Sequence, residues 1–246
     1  YTVTDGLLTS NVATATVTVA ALNDAPVANS NALTVAEGST GTPLGINAPS
    51  DIDGDSLIIT VTSLPIVGTV TKADGTAISN GSTLTATELS SLIYNAPADY
   101  TVGDAVGSFT YSVNDGIITV NGSTVLAVAP INDAPTGADN TVTIDEDGSK
   151  TFSASDFGFS DVDVGDALSA VRIDSLPTAG SLLLNGAPVS SGQVISLATL
   201  GNLIFHPAPD ASGSDYTTLT FSVSDQAGLF DSAPNTLTFN VTPVAD

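Results

Sequence analysis

The stretch SDIDGDSL at 50–57 places carboxylates on alternate residues, at Asp51, Asp53 and Asp55. Like charges held so close together repel one another unless a cation compensates them. The crowding recurs in SDVDVGDAL at 160–168, which carries Asp161, Asp163 and Asp166. Alternate carboxylates on an extended or turning segment can converge their oxygens on one ion. Calcium accepts roughly 6–8 oxygens in flexible geometry, whereas magnesium demands a stricter octahedron and keeps its waters. The order D-x-D-G-D suggests an EF-hand loop, but counting excludes it. The sixth residue should be glycine and is Ser56. The twelfth should be a bidentate glutamate and is Thr62 in one copy and Arg172 in the other. A polar Asp/Gly turn would account for one such loop; its recurrence favours a bound Ca2+.

Glutamate supplies a second signal. The chain has only three, and two of them, Glu37 and Glu146, lie 109 residues apart in VAEGS and IDEDGS. Each follows the first strand expected in its repeat, and both are candidate ligands. Glu88 keeps no such register, because Thr199 stands opposite it in the other copy.

The elements that must position these acids repeat with the same spacing. NDAP occurs at 23–26 and 132–135, preceded by VAALND and VAPIND, and VTPVAD at 241–246 is a third tail. LIYNAPAD at 92–99 matches LIFHPAPD at 203–210. FTYSVNDG at 109–116 matches LTFSVSDQ at 219–226, and YTVTDG opens the chain. The organisation is therefore read as residues 1–22, the closing strands of a preceding repeat; residues 23–132, a first full repeat; and residues 133–246, a second. The start at Tyr1, without methionine or signal peptide, reads as a piece of a longer array.

Within each repeat the hydrophobic period is two, which indicates strands. Ala13, Ala15, Val17 and Val19 alternate with threonines; so do Phe109, Tyr111 and Val113, Leu219, Phe221 and Val223, and Leu237, Phe239 and Val241 with polar residues. Asn185-Gly186 and Asp74-Gly75 are hairpin turn signals. TATELSSL offers a single helical turn. Short alternating strands with Gly/Pro turns in units of about 110 residues imply an all-β fold of tandem Greek-key sandwiches, immunoglobulin-like without the Cys…Trp…Cys signature.

Composition narrows the function classes. The chain of 246 residues carries 26 acidic side chains against three basic ones, Lys72, Lys150 and Arg172, for a net charge of −23. That field repels nucleic acid and anionic membranes. No apolar run approaches the roughly 18 residues of a membrane span. Cysteine is absent, which excludes disulfides, thiolate metal sites and cysteine nucleophiles. The single histidine, His206, is replaced by Asn95 in the other copy, and no nucleophile elbow or phosphate loop is present. An enzyme is not expected.

NDAP at the repeat boundary, the D-x-D loop and SVNDG together resemble the calcium motifs of cadherins. Their combination with the glutamate motif is most similar to the tandem cadherin-like repeats of large bacterial calcium-dependent surface adhesins of the RTX, type I-secreted kind. The resemblance covers the whole chain. It implies calcium at each junction between repeats. The second junction would use Asn132 and Asp133 from the linker, Asp161, Asp163, Asp166 and Asp225 from the tip of the following repeat, and Glu37 from the base of the preceding one. The first would use Asn23, Asp24, Asp51, Asp53, Asp55 and Asp115, while Glu146 would serve a third. The second loop, one residue longer, places its third acid in doubt as an equivalent ligand. Asp104 and Asp215 stand nearest to a further acidic motif that has no clear match. The implied function is that of calcium-stiffened extender repeats in a long extracellular fibre at the bacterial cell surface, supporting adhesion and biofilm attachment. The expected partners are neighbouring repeats of the same chain, with a surface glycan or protein met by other domains. The alternative is a calcium-dependent glycan- or ligand-binding module, which the absence of tryptophan and the 5% aromatic content disfavour.

Overall fold

A computed structural model describes residues 1–245. The chain divides into two compact units. The first comprises Tyr1–Thr34, Thr40–Ala96 and Val106–Ala127; the second comprises Val35–Ser39, Pro97–Ala105 and the chain from Val128 onward. The segment around Glu37 and the loop 97–105 thus pack with the second unit, where they meet the linker.

Through the first repeat run β1 (Ser30–Ala36), β2 (Thr42–Pro43), β3 (Ile58–Ser63), β4 (Thr69–Thr71), β5 (Thr83–Leu84), α1 (Ala86–Ser90), β6 (Ile93–Asn95), β7 (Ser108–Asn114) and β8 (Thr119–Ala129). They form a five-stranded sheet in the order β1-β8-β7-β3-β5 and a three-stranded sheet, β2-β6-β4. The alternation read from the sequence sets the inward face: Ile59 and Val61 on β3 and Phe109, Tyr111 and Val113 on β7 are buried. Each fully buried side chain of this size stabilises by roughly 1.5–3 kcal/mol. The Tyr111 hydroxyl is also satisfied, donating to the Asn29 carbonyl at 2.8 Å and accepting its N–H at 3.1 Å. Gly122 pairs with Tyr111 across β7 and β8, and a Cβ there would meet the tyrosine ring at 2.3 Å.

The single turn expected in TATELSSL is α1. Thr85 accepts the Glu88 N–H at 3.2 Å, and Glu88 accepts the Thr85 N–H at 2.8 Å, a reciprocal cap. Lys72 lies 2.6 Å from the same glutamate. Glu88 is therefore a capping residue, which accounts for its lack of register with Glu37 and Glu146.

The second repeat contains β9 (Asn140–Asp145), β10 (Lys150–Thr151), a 3-10 turn (Ala154–Asp156), β11 (Ala170–Ser175), β12 (Ser181–Leu184), β13 (Ala187–Pro188), β14 (Gln193–Ser196), α2 (Leu197–Leu200), β15 (Leu203–His206), β16 (Gly213–Ser224) and β17 (Asn235–Thr242). Its sheets run β14-β11-β16-β17-β9 and β10-β15-β12-β13. Among the described residues, these strands pair antiparallel except β17 with β9, which run parallel. Between the sheets lie Phe152, Phe157, Phe205, Phe221 and Phe239. Phe157 meets Phe221 edge-on at 4.9 Å, and Phe205 stacks on Phe239 at 4.0 Å. Asn185 and Gly186 turn β12 into β13, both in the left-handed region (φ 52 and 78) that such a hairpin requires. The turns at 154–156 and 197–200 had no clear periodic signal, being too short to show one.

Residues 1–22, expected as closing strands, pair locally at their start. Tyr1 and Ala13 exchange backbone hydrogen bonds and Thr4 bridges Thr9, but 13–20 forms no strand. Val17 and Val19 remain 83% and 86% exposed. Alternation becomes a strand only where a neighbouring strand satisfies the backbone and a core covers the apolar face; the described residues supply neither to this segment.

Candidate cation centres

The first acidic loop lies between β2 and β3. The Oδ1 atom of Asp51 accepts the Asp53 N–H at 2.8 Å and, more weakly, that of Asp55 at 3.5 Å. Its Oδ2 atom is buried and has no hydrogen-bond partner among the described residues. Carboxylate oxygens of Asp51, Asp53 and Asp55 lie within 4.8 Å of one another. Asp53 Oδ2 also accepts the Asp24 N–H at 2.8 Å. The amide of Asn23 donates to Asp115 Oδ2 at 3.0 Å and to the Asp24 carbonyl at 2.9 Å. Asp115, at the β7–β8 turn, accepts the N–H groups of Ile117 and Ile118 at 2.7 and 2.6 Å. The bond from Ile118 and then that from Asn23 hold its carboxyl below the ordinary value.

The second loop repeats this wiring between β10 and β11. Asp161 Oδ1 accepts the Asp163 N–H at 2.9 Å, and its Oδ2 is again buried without a partner among the described residues. Asp163 Oδ2 accepts the Asp133 N–H at 2.7 Å. Asn132 donates to Asp225 Oδ2 at 2.7 Å and to the Asp133 carbonyl at 2.9 Å. Asp225 Oδ1 accepts Gly228 and Leu229 N–H at 2.6 and 2.8 Å. Burial opposes the charge on fully buried Asp225 most strongly, yet the bonds from Asn132, Leu229 and Gly228 outweigh it and lower its pKa.

The acids that converge differ between copies. In the second, they are Asp161, Asp166 and Asp225, within 4.8 Å of one another. The longer loop therefore brings its third acid beside Asp161 and leaves Asp163 out of the trio. Loss of solvent, followed by repulsion from Asp161, Asp225 and Asp163, raises the Asp166 carboxyl above its ordinary value. Asp133 is raised too, first by loss of solvent, then by Glu37, Asp163, Asp99 and Asp161.

Both repeat glutamates are buried directly after the first strand of their repeat. Glu37 accepts the Ile131 N–H at 2.7 Å and the Tyr100 N–H at 2.8 Å; Glu146 accepts the Val244 N–H at 2.8 Å. Each thus binds the backbone that leaves its own repeat. Asp104 and Asp215 are exposed and join neither trio. Two acids escaped the sequence reading. Asp99 ends the repeated motif LIYNAPAD and contributes to the field on Asp133. Asp5 accepts the N–H groups of Leu7 and Leu8, both at 2.9 Å, as Asp115 and Asp225 do in their own turns. Its signal was Thr4-Asp5-Gly6, which matches Asn114-Asp115-Gly116.

Every donor in both trios is a carboxylate oxygen, a set suited to a hard divalent cation. A buried oxygen without a hydrogen bond is costly, and its occurrence at the same atom of Asp51 and Asp161 is the local feature that a cation would satisfy. Asp51 and Asp161 with their trio partners would hold such an ion.

Tandem immunoglobulin-like sandwiches with acidic tip loops define the class of this chain. Residues 23–127 and 132–240 each match the bacterial Ig domain family, and the chain belongs to that family. No curated protein matches. Among solved structures, human protocadherin-24 EC1-2 is similar at 16% identity and a TM-score of 0.51, covering 90% of this chain and 100% of that one. Human mucin-like protocadherin EC1-2 aligns at 17% identity and a TM-score of 0.42, covering 89% and 99%. The first likeness shows a shared cadherin-like fold. Among the described residues, no helix is long and apolar enough to cross a membrane.

Proposed function

We propose that the two sandwiches are extender repeats of a long extracellular bacterial adhesin of the RTX type, and that Ca2+ bound at the acidic loops stiffens the array. The observation that carries this reading is the pair of orphaned Oδ2 atoms, on Asp51 and Asp161, each at the same place in a carboxylate trio. In the second unit, Glu37 holds Ile131 while Asp225 and Asp163 hold Asn132 and Asp133. Without a cation, the charges on Asp133, Asp161, Asp163 and Asp166 repel across this short segment. Extracellular calcium at millimolar concentration fills even modest sites and couples metal to stability by mass action. Repeats of this kind carry the target-binding domains of an adhesin away from the cell and support attachment and biofilm growth; their partners are neighbouring repeats.

Small-angle X-ray scattering of the chain, in millimolar calcium and then in excess chelator, tests the proposal. A rod-like profile whose maximum dimension contracts on chelation is expected. A profile that ignores chelation would remove the stiffening role and favour a ligand-facing cation site.

A further inference from the structure

In both acidic loops the second aspartate receives a backbone N–H from the linker. Asp53 Oδ2 receives the Asp24 N–H, and Asp163 Oδ2 receives the Asp133 N–H, at 2.8 and 2.7 Å. Around it, the linker asparagine ties Asp225 to the Asp133 carbonyl, and Thr136 and Ser160 exchange backbone bonds at 2.8 and 2.9 Å. The linker from 132 to 136 is thereby stitched onto the repeat it precedes. A bond from a backbone N–H to a carboxylate is charge-assisted and stronger than a neutral one.

The loops differ in what else that carboxylate does. Asp53 clasps the linker and still offers an oxygen to the trio with Asp51 and Asp55. Asp163 clasps the linker, while the trio of its loop is Asp161, Asp166 and Asp225. The extra residue explains the exchange. The Asp166 N–H donates to the Asp163 carbonyl at 3.2 Å, closing a turn through Val164 and Gly165. Gly165 takes φ +100, which side-chain-bearing residues rarely adopt. This turn returns Asp166 towards Asp161.

We propose that Asp163 is a positioning residue that clasps the linker independently of metal, and that Asp166 takes its place beside Asp161 as the second cation-binding acid of that loop. The assignment of Asp166 rests on the calcium reading above; the clasp does not. Asp161, with one oxygen given to the Asp163 N–H and the other orphaned, is the acid that faces the ion.

The test uses the full chain and its D161N, D163N, D163A and D166N variants. Amide hydrogen exchange at Asp133 is read in chelator, and calcium titration is followed by NMR at Gly165. In chelator, the Asp133 amide should be protected in the wild-type protein and in D163N, whose side-chain oxygen still accepts. In D163A that protection should fall roughly tenfold, consistent with the loss of a bond of about 1.4 kcal/mol. D161N, D163N and D166N each remove one charge, so differences among them isolate ligation. D161N and D166N each remove a carboxylate that faces the ion and should weaken calcium binding at least about tenfold more than D163N, a difference of about 1.4 kcal/mol. Calcium binding weakened as much by D163N as by D161N would make Asp163 a ligand and overturn the proposal. Equal loss of protection in D163N and D163A would overturn the clasp. If the wild-type protein binds no calcium, the calcium reading and the role of Asp166 fall together, and exchange in chelator alone upholds or overturns the clasp.

Discussion

The tip loops of the two repeats begin from the same design and end with different acids. In each, the first aspartate folds the loop by accepting the N–H two residues on, and keeps its other oxygen buried and unpartnered. In each, the second aspartate holds the linker. The copies part at the third position. DIDGD draws its trio from three residues of one loop, two of them exposed. DVDVGD, with one residue more, closes a turn and joins Asp225, from the turn after β16, to a trio that is half-buried to fully buried. A single inserted residue therefore moves a centre from the loop surface toward the sandwich, where solvent screens its charges less.

The comparison predicts unequal dependence on metal, and calorimetry in calcium and in chelator should show the largest effect. Calcium at a hundredfold excess over Kd stabilises a folded unit by about 2.7 kcal/mol. For a domain of this size that is on the order of 10 °C in Tm. The transition of the second unit should shift further than that of the first; equal shifts would break the distinction.

Substitution at the turn aspartates comes next. D225N removes a trio member, whereas Asp115 lies outside its trio and D115N removes only a neighbouring charge. Both carboxylates make matching turn bonds, so the structural cost is shared. D225N should weaken calcium binding at its centre by roughly tenfold or more, and D115N by clearly less, as measured by isothermal titration. Deleting Val164 sharpens the contrast: the shortened loop should readmit Asp163 to the trio, and the affinities of the two centres should draw together.

The smallest expected effect is on pH dependence without metal. Asp133 and Asp166 have folded-state pKa values above the ordinary 3.8, so the folded chain holds these protons more tightly than the unfolded one. Their charges oppose folding at neutrality. This opposition fades as pH falls through the raised values and is gone below 3.8. Asp115 and Asp225 are lowered, so their stabilising contribution is complete above 3.8 and is lost as pH falls through their folded values. The melting temperature in chelator should therefore rise on mild acidification and drop on strong acidification. Calcium should reverse the mild-acid trend, because protons then compete with the metal. A chelated protein that only loses stability as pH falls from neutrality would show that repulsion in the second centre is weaker than described.

Much of this protein was legible in its sequence. The period of two fixed which side chains face inward on β7, β16 and β17, because a strand sends alternate residues to opposite faces. The repeated motifs placed Glu37 and Glu146 after matching strands and located both acidic loops. Asn185-Gly186 specified its turn through backbone conformations that few other residues adopt. Local pattern needs distant support to become a strand: 13–20 alternates like one, yet among the described residues no neighbour pairs with it.

The division of labour among the acids was settled by tertiary structure. Composition and spacing determined an all-β repeat with clustered aspartates, since hydrophobic periodicity and turn chemistry act over a few residues. They could not determine that Asp166 joins the trio while Asp163 turns to the linker, nor that Asp99 acts on Asp133. Those outcomes depend on partners such as Asn132 and Asp225, 93 residues apart in the chain, which only the folded sandwich brings within 2.7 Å. A carboxylate's role is set by which of its oxygens find donors, and the donors here come from distant segments.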